Sequence, residues 1–125
     1  MILDTNALSG FLRGEARLIE QMKAAGYIAV PTVVLGEYRY GITKSTERKR
    51  LLVRLDRLEH IWDILVIDAA TACNYAELRG IVERQGRPIP INDLWIAALA
   101  RQHNLPVLSR DKHFDLVPGL RRVSW

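Results

Sequence analysis

The sequence opens with Met1-Ile2-Leu3-Asp4-Thr5-Asn6, and this stretch decides what fold to expect. Ile2 and Leu3 are apolar and predict a short buried strand that ends at the acid Asp4. In an open parallel sheet, the groups that handle ligands collect just beyond the carboxyl ends of the strands. Asp4 therefore lies where a functional carboxylate is expected, and other acids that follow strands should converge on it.

Short apolar runs alternate with helical patterns along the rest of the chain, which is typical of βαβ units and a parallel sheet. Further strands are predicted at residues 27–30, 64–67, 107–109 and 121–124. Helices are predicted at residues 7–12, 15–25 and 32–43, then from a cap at Ser45 or Thr46 to residue 60, with two more that open at Asp68 and at Asn92-Asp93. Pro31 suits the first turn of the third helix. The pattern predicts an α/β fold.

Length and composition favour one domain over residues 1–125, and an apolar content of 49% provides a sizeable core. No apolar run approaches the roughly 18 residues of a membrane span, and no secretion signal is visible. A single cysteine, Cys73, excludes an internal disulfide and is compatible with a reducing cytoplasm. The net charge of +4 favours a polyanionic partner such as nucleic acid or an acidic protein.

The helix that Asp68 is predicted to cap carries small residues at helical spacing: Ala69, Ala72, Cys73, Ala76 and Gly80. Small side chains allow a neighbouring element to approach closely. This stripe is therefore predicted to face inward, with Cys73 in the core.

Glu37 is the acid that least resembles an ordinary surface residue. The positions three and four residues away from it form a face that is expected to pack inward: Val33, Val34, Tyr40 and Gly41. Glutamate is rarely buried without a partner, so a carboxylate aimed into a cleft is favoured. The alternative is a glutamate that reaches solvent and pairs with Arg39 or Lys44.

Two more acids occupy comparable positions. Asp93 heads a strongly apolar helix and leads its inward stripe, while Asp111 follows the fourth strand as Asp4 follows the first. Each has an ordinary alternative, because an acid in a first turn complements the helix dipole and Asp111 could be a turn residue. Strand ends and helix starts share one edge of a parallel sheet, however, and convergence is predicted for Asp4, Glu37, Asp93 and Asp111.

Four carboxylates in one pocket require a cation, because two carboxylates about 4 Å apart repel by about 4 kcal/mol at an effective dielectric near 20. Ligands that are all oxygen suit Mg²⁺ or Mn²⁺. No Cys/His cluster for zinc is present, and His60, His103 and His113 are interpreted as surface or structural residues. Ser109 could donate a hydrogen bond to a neighbouring carboxylate.

Four stretches, in this order, resemble the PIN domain family. They are Leu-Asp-Thr-Asn at 3–6, Glu37 on a helix after a Val-Pro turn, Pro-Ile-Asn-Asp-Leu-Trp-Ile-Ala-Ala at 90–98, and Leu-Ser-Arg-Asp-Lys-His-Phe at 108–114. The likeness covers the whole chain and is strongest to the VapC-type toxins of bacterial toxin–antitoxin pairs. It implies a three-layer α/β/α sandwich with a central parallel sheet.

The resemblance also implies an endoribonuclease that depends on Mg²⁺ or Mn²⁺. By position, it assigns catalysis and metal binding to Asp4, Glu37, Asp93 and Asp111, and supporting roles to Asn6 and Ser109. It further implies a homodimer in the cytoplasm and a cognate antitoxin whose tail fills the groove. The alternatives are a PIN-like domain that only binds nucleic acid, or a DNA-directed nuclease without a toxin role.

An RNA substrate requires basic residues that offset the acids. The candidates for phosphate contacts are Arg50, Arg54, Arg57, Arg87, Arg110 and Lys112. The ridge of Arg50, Arg54 and Arg57 could instead be a solvated face or dock the antitoxin, and Arg110 could pair with an acid. Three aromatic residues could stack on bases, although packing in the core or at an interface is favoured for them: Tyr38, Tyr40 and Trp95.

Other classes with acids at strand ends fit less well. A phosphoryl-accepting receiver domain has an acidic pair after its first strand, and a haloacid-dehalogenase-type phosphatase has a second Asp where this chain has Asn6. Dinucleotide binding needs a Gly-x-Gly-x-x-Gly after a strand, which is absent.

Overall fold

The computed structural model describes all 125 residues and contains one sheet of five strands. In chain order these are β1 (Ile2–Leu3), β2 (Ala29–Pro31), β3 (Asp63–Leu65), β4 (Val107–Leu108) and β5 (Arg122–Val123). Every pairing is parallel, and the order across the sheet is β3-β2-β1-β4-β5. The chain builds from β1 toward one edge and then crosses to the other side of β1, which creates the kind of switch point where ligands bind.

Six α-helices connect the strands: α1 (Thr5–Arg13), α2 (Ala16–Ala25), α3 (Thr32–Gly41), α4 (Arg48–Glu59), α5 (Ala69–Arg84) and α6 (Ile91–His103). A 3₁₀ helix, Lys112–Leu116, follows β4. The predicted α/β fold with a parallel sheet is confirmed, and only the element ends differ. None of the helices combines the length and apolar content needed to cross a membrane.

One predicted helix start is confirmed and another is wrong. α3 begins at Thr32 as predicted, and Pro31, whose extended backbone ends β2, is its N-cap rather than a residue of its first turn. α4 begins after Glu47 rather than after Ser45 or Thr46. The Ser45 hydroxyl accepts a hydrogen bond from the Glu47 amide in the preceding turn, 3.2 Å away, so it stabilises the turn and not the helix.

The core is a single cluster of 27 buried apolar residues centred on β1, β4 and α6. Ile2, Leu3 and Leu108 are fully buried, and each such side chain contributes roughly 1.5–3 kcal/mol through removal from water. The strongly apolar helix predicted after Asn92-Asp93 is buried on most sides, because α6 buries Leu94, Ile96, Ala97, Ala98, Leu99 and Ala100. The head of this helix is thereby fixed against the sheet.

The cap of α5 is confirmed, but the predicted inward stripe of this helix is wrong. Asp68 accepts a hydrogen bond from the Thr71 amide at 2.9 Å, and the Thr71 hydroxyl accepts one from the Asp68 amide at 3.1 Å. The buried residues are Thr71, Leu78 and Val82, whereas Cys73 and the alanines of its stripe are exposed. Larger apolar side chains gain more from burial than alanines, so they decide which face of α5 turns inward.

The face of α3 that packs on the core differs from the predicted one. Val34, Tyr38 and Ile42, spaced by four residues, are buried, and Tyr40 is 79% exposed. Glu37 lies on the flank of this stripe, turned toward the carboxyl edge of the sheet. Packing is confirmed for Tyr38, in the core, and for Trp95, which stacks on Tyr75 with ring centroids 3.9 Å apart. Tyr40 lies outside the core, and its packing at an interface stays a prediction.

Candidate active site

An open cleft at the carboxyl edge of the sheet brings the four predicted acids together. Its walls come from the end of β1 with α1, from α3, from the start of α6 and from the segment after β4. The lining residues are Asp4, Thr5, Asn6, Ser9, Gly36, Glu37, Tyr40, Asn92, Asp93 and Asp111. Nearly all of these residues are polar, which is unusual for a concave surface backed by an apolar core.

Asp4 is the deepest acid of the cleft, with 4% of its surface exposed. As the N-cap of α1, it accepts a hydrogen bond from the Ala7 amide at 2.7 Å. Its other carboxylate oxygen accepts hydrogen bonds from Asn6 Nδ2, at 2.6 Å, and from the Ser109 hydroxyl. Burial raises the pKa of Asp4 to about 6, because desolvation outweighs the hydrogen bonds from Ser109 and Ala7 that lower it.

The predicted supporting residues join the ends of β1 and β4. Besides its bond to Asp4, the Ser109 hydroxyl oxygen accepts a hydrogen bond from the Asp111 amide at 2.8 Å. Asn6 Oδ1 accepts one from the Arg110 amide at 3.2 Å. Both polar side chains therefore fix the segment that carries Asp111 relative to Asp4.

Glu37 is held at both carboxylate oxygens by side chains from two other elements. The Thr5 hydroxyl donates to Oε2, and Asn92 Nδ2 donates to Oε1 at 2.5 Å. These contacts tie α3 to α1 and α6 across the cleft and fix the direction of the carboxylate. The sequence analysis missed Thr5 and Asn92 as site residues. Each is adjacent in the chain to a predicted acid, Asp4 or Asp93.

Asp93 lies in the first turn of α6, with 17% of its side chain exposed. Burial raises the pKa of Asp93 to about 6, and repulsion from Asp111 and Glu37 acts in the same direction while His113 opposes it. Asp111 caps the 3₁₀ helix by accepting a hydrogen bond from the His113 amide at 2.9 Å. Two desolvated carboxylates with raised pKa values in one cleft are typical of a functional site.

His113 lies within this acidic cluster. Its Nδ1 is 2.8 Å from Asp111 Oδ1 and 3.8 Å from Asp93 Oδ2. His113, predicted with His60 and His103 to be a surface or structural residue, has a side chain that is 45% exposed and belongs to this acidic cluster. His113 is two residues beyond a predicted acid, but this spacing does not determine the direction of its side chain.

The donor atoms in the cleft fit a divalent cation. Asp93, Asp111 and His113 can each offer one ligand atom, and these atoms all lie within 4.8 Å of one another. Carboxylate oxygen suits Mg²⁺ and Mn²⁺, and imidazole nitrogen is also accepted by the transition metals. Asp4 and Glu37 lie in the same cleft but outside this closest group.

The basic residues predicted to contact phosphates lie in different parts of the surface. Arg50 and Arg54 line a groove that shares Ser9 with the acidic cleft, whereas Arg57 does not line it. We call this the arginine groove; its lining is Ser9, Leu12, Arg13, Tyr38, Ile42, Glu47, Arg50, Leu51 and Arg54. Arg87 lies in a different depression with Asp115, and Lys112 is exposed beside Asp111.

Arg110 belongs to a cluster of side chains at the surface. Its Nη2 donates to Glu15 Oε2 at 2.8 Å, and its guanidinium carbon lies 4.3 Å from the centroid of the Trp125 ring. The same Glu15 oxygen accepts a hydrogen bond from Trp125 Nε1 at 2.7 Å. Of the two roles considered for Arg110, a phosphate contact or an ion pair with an acid, the structure contains the ion pair, with Glu15.

Comparison with known proteins identifies the family. The PIN domain profile matches residues 1–120. Ribonuclease VapC5 of Mycobacterium tuberculosis is 32% identical over 125 residues, which cover 98% of this chain and 91% of the relative. The tRNA(fMet)-specific endonuclease VapC of Shigella flexneri is 34% identical over 101 residues, 80% of this chain and 76% of the relative.

Solved structures agree with this assignment. VapBC2 from Rickettsia felis, bound to a DNA fragment from its promoter, superposes with a TM-score of 0.89 at 26% identity and covers 99% of this chain and 97% of that one. FitAcB from Neisseria gonorrhoeae gives a TM-score of 0.81 at 28% identity, with 97% and 94% covered. The predicted α/β/α sandwich is confirmed, and the chain belongs to the PIN domain family, with VapC proteins among its relatives.

Proposed function

We propose that this protein is a metal-dependent endoribonuclease toxin that hydrolyses RNA phosphodiester bonds and is neutralised by a cognate antitoxin. The observation that carries the proposal is the convergence of Asp4, Glu37, Asp93 and Asp111 on one open, polar cleft. The relatives named above as ribonuclease and tRNA endonuclease support an RNA substrate. The VapBC complex among the structural neighbours supports an antitoxin partner.

In this proposal, Asp93 and Asp111 hold Mg²⁺ or Mn²⁺. Asp4 stands behind them, and three of its roughly four acceptor positions are filled by protein donors. It therefore has room for about one further contact. When bound, the cation supplies Lewis-acid chemistry: it makes water a better nucleophile near neutral pH and offsets the charge that develops on the phosphate.

Glu37 orients the attacking water. Its two oxygens are fixed by Thr5 and Asn92, yet each retains acceptor capacity toward the cleft. A water that donates a hydrogen bond to this carboxylate is aligned for attack on phosphorus. The bond from phosphorus to the 3′-oxygen breaks, which leaves a 5′-phosphate on one product and a 3′-hydroxyl on the other.

An acidic cleft repels RNA, so substrate binding must come from its margins. The arginine groove joins the cleft at Ser9 and offers Arg13, Arg50 and Arg54 to the phosphates of a strand that leaves the site. Tyr40, on the wall of the cleft and 79% exposed, offers a ring on which an unpaired base can stack. Both features favour single-stranded RNA.

The remaining expectations about assembly stay predictions: one nuclease domain over residues 1–125, a homodimer and a cytoplasmic location. A homodimer would be measured by light scattering of the purified protein. Neutralisation would be measured as recovery of growth when the antitoxin is expressed together with this chain. These measurements do not depend on which RNA is cut.

The experiment that tests the proposal is cleavage of RNA by the purified protein with Mg²⁺ or Mn²⁺, with and without a chelator. Asp93→Asn and Glu37→Gln should each abolish cleavage while circular dichroism shows a folded protein. Glu20→Gln, at an exposed acid of α2 outside the cleft, is the matched control and should cut normally. Intact RNA with both metals would contradict the proposal; binding without cleavage, or cleavage of DNA instead, would favour the alternatives.

A further inference from the structure

The imidazole of His113 occupies a position that the proposed roles of the four acids leave unexplained. Nδ1 is shielded from solvent and has no hydrogen-bond partner. It faces Asp111 Oδ1 at 2.8 Å and Asp93 Oδ2 at 3.8 Å, but neither contact has hydrogen-bond geometry. A shielded polar atom without a partner is unfavourable, so this arrangement calls for a ligand.

The backbone on either side of His113 is fixed. Its amide donates to Asp111 Oδ1 at 2.9 Å, which forms the cap of the 3₁₀ helix. The next residue, Phe114, is fully buried and anchors that helix in the core. The backbone that carries the ring is therefore fixed beside the two carboxylates.

We propose that His113 is a third protein ligand of the divalent cation, through Nδ1, beside Asp93 and Asp111. The inference rests on the proposed metal-dependent function of the same cleft. Neighbouring ligand atoms around an octahedral ion with bonds of about 2.0–2.2 Å lie about 3 Å apart, and the observed separations of 2.8 and 3.8 Å bracket that value. A neutral imidazole also completes the ligand set without adding negative charge.

A nitrogen ligand changes which metal the site prefers. Mg²⁺ favours oxygen ligands and retains water, whereas affinity for nitrogen-containing sites rises from Mn²⁺ through Co²⁺ to Ni²⁺. The protein should therefore bind Mn²⁺ more tightly than Mg²⁺. Replacement of His113 by Asn should weaken Mn²⁺ binding by about tenfold or more. It should also reduce the difference in affinity between Mn²⁺ and Mg²⁺.

The competing explanation is an ion pair in which a protonated His113 neutralises Asp111 and has no contact with a metal. The two explanations differ in one measurable property. Imidazole coordination places a ¹⁴N nucleus in direct contact with the electron spin of Mn²⁺, and pulsed electron paramagnetic resonance detects that coupling. An ion pair does not produce it.

The test is a pulsed spectrum of Mn²⁺ bound to the wild-type protein, with metal affinity measured by titration. We expect ¹⁴N coupling in the wild type and in His103→Asn, a matched control at the exposed end of α6, and its loss in His113→Asn. His113→Gln provides a second variant if His113→Asn does not fold. Bound Mn²⁺ without ¹⁴N coupling would overturn the His113 proposal and leave the metal centre standing. Absence of Mn²⁺ binding to the wild type would overturn both.

Discussion

Ser109 donates a hydrogen bond from its hydroxyl to the carboxylate of Asp4, across a sequence separation of 105 residues. The two residues meet because β1 and β4 are parallel neighbours that pair Leu3 with Leu108, so the next residue of each strand lies at the same edge. Ser109 is fully buried and Asp4 nearly so. The deepest carboxylate of the cleft therefore depends on a donor that only the sheet topology supplies.

Ser109→Ala should destabilise the protein by about 1–3 kcal/mol, because the buried Asp4 carboxylate loses a donor and the Asp111 amide loses its acceptor. RNA cleavage should also fall, since Asp111 is less firmly placed. Urea unfolding monitored by circular dichroism measures the first effect. Ser124→Ala, at an exposed serine, is the matched control. Equal stability and equal cleavage in the two variants would remove Ser109 from its supporting role.

The metal-free protein should lose stability as the pH rises from about 4 to about 6. The pKa of Asp4 and that of Asp93 are both raised to about 6 in the folded protein, above the ordinary value of 3.8. Between those values the folded state binds more protons than the unfolded state, so the free energy of unfolding falls with pH and then levels off. For Asp4 alone the change is on the order of 3 kcal/mol. Urea unfolding in a chelator at several pH values measures it.

Asp93→Asn provides the control for this pH dependence. In the chelator at pH 7 the variant should be more stable than the wild type, because one uncompensated carboxylate is gone, and its stability should change less between pH 4 and pH 6. Added Mn²⁺ should raise the melting temperature of the wild type by ligand linkage and leave that of the variant nearly unchanged. Parallel pH profiles for the two proteins would show that Asp93 is not desolvated in solution.

The positions of Asp4, Asp93 and Asp111 could be predicted because they depend on backbone topology alone. Residues that follow parallel strands or open the intervening helices must share one edge of the sheet. His113 was missed because its membership of the cluster depends on the direction of a side chain after a 3₁₀ turn. Sequence spacing does not determine that direction.

The two wrong helix faces have a related cause. Periodicity shows which residues of a helix share a face, but the neighbouring elements decide which face is buried. In α5 the face with Leu78 and Val82 is buried, and the stripe of small residues with Cys73 is not. In α3 the buried stripe runs through Val34 and Tyr38, and Tyr40 lies on the wall of the cleft. Burial therefore follows the arrangement of the neighbours, which a single sequence does not contain.

Tyr40→Ala should weaken RNA binding and leave the fold intact. The side chain is 79% exposed, so its loss removes little packing, whereas a stacked base contributes about 1–3 kcal/mol to binding. Tyr40→Phe keeps the ring and should bind nearly as well as the wild type. The measurement is fluorescence anisotropy with labelled single-stranded RNA, in a Glu37→Gln background that prevents cleavage. Identical affinities for the Ala and Phe variants would exclude stacking at this position.

Arg50→Glu should weaken RNA binding far more than Arg57→Glu, although the two substitutions change the net charge equally. Both arginines lie on α4 and are exposed, but only Arg50 lines the groove that joins the cleft. Its ion pair with Glu47, at 2.5 Å, is exposed and contributes little to stability.

The measurement is RNA affinity as a function of salt concentration in the same Glu37→Gln background. Loss of one phosphate contact should lower the salt slope by about 0.7 in Arg50→Glu, and Arg57→Glu should keep the wild-type slope. Equal slopes in all three proteins would mean that the strand leaves the cleft by another path. In that case the arginine groove would be a basic surface beside the cleft that does not bind RNA. The same two variants would then be used to measure whether it binds the antitoxin.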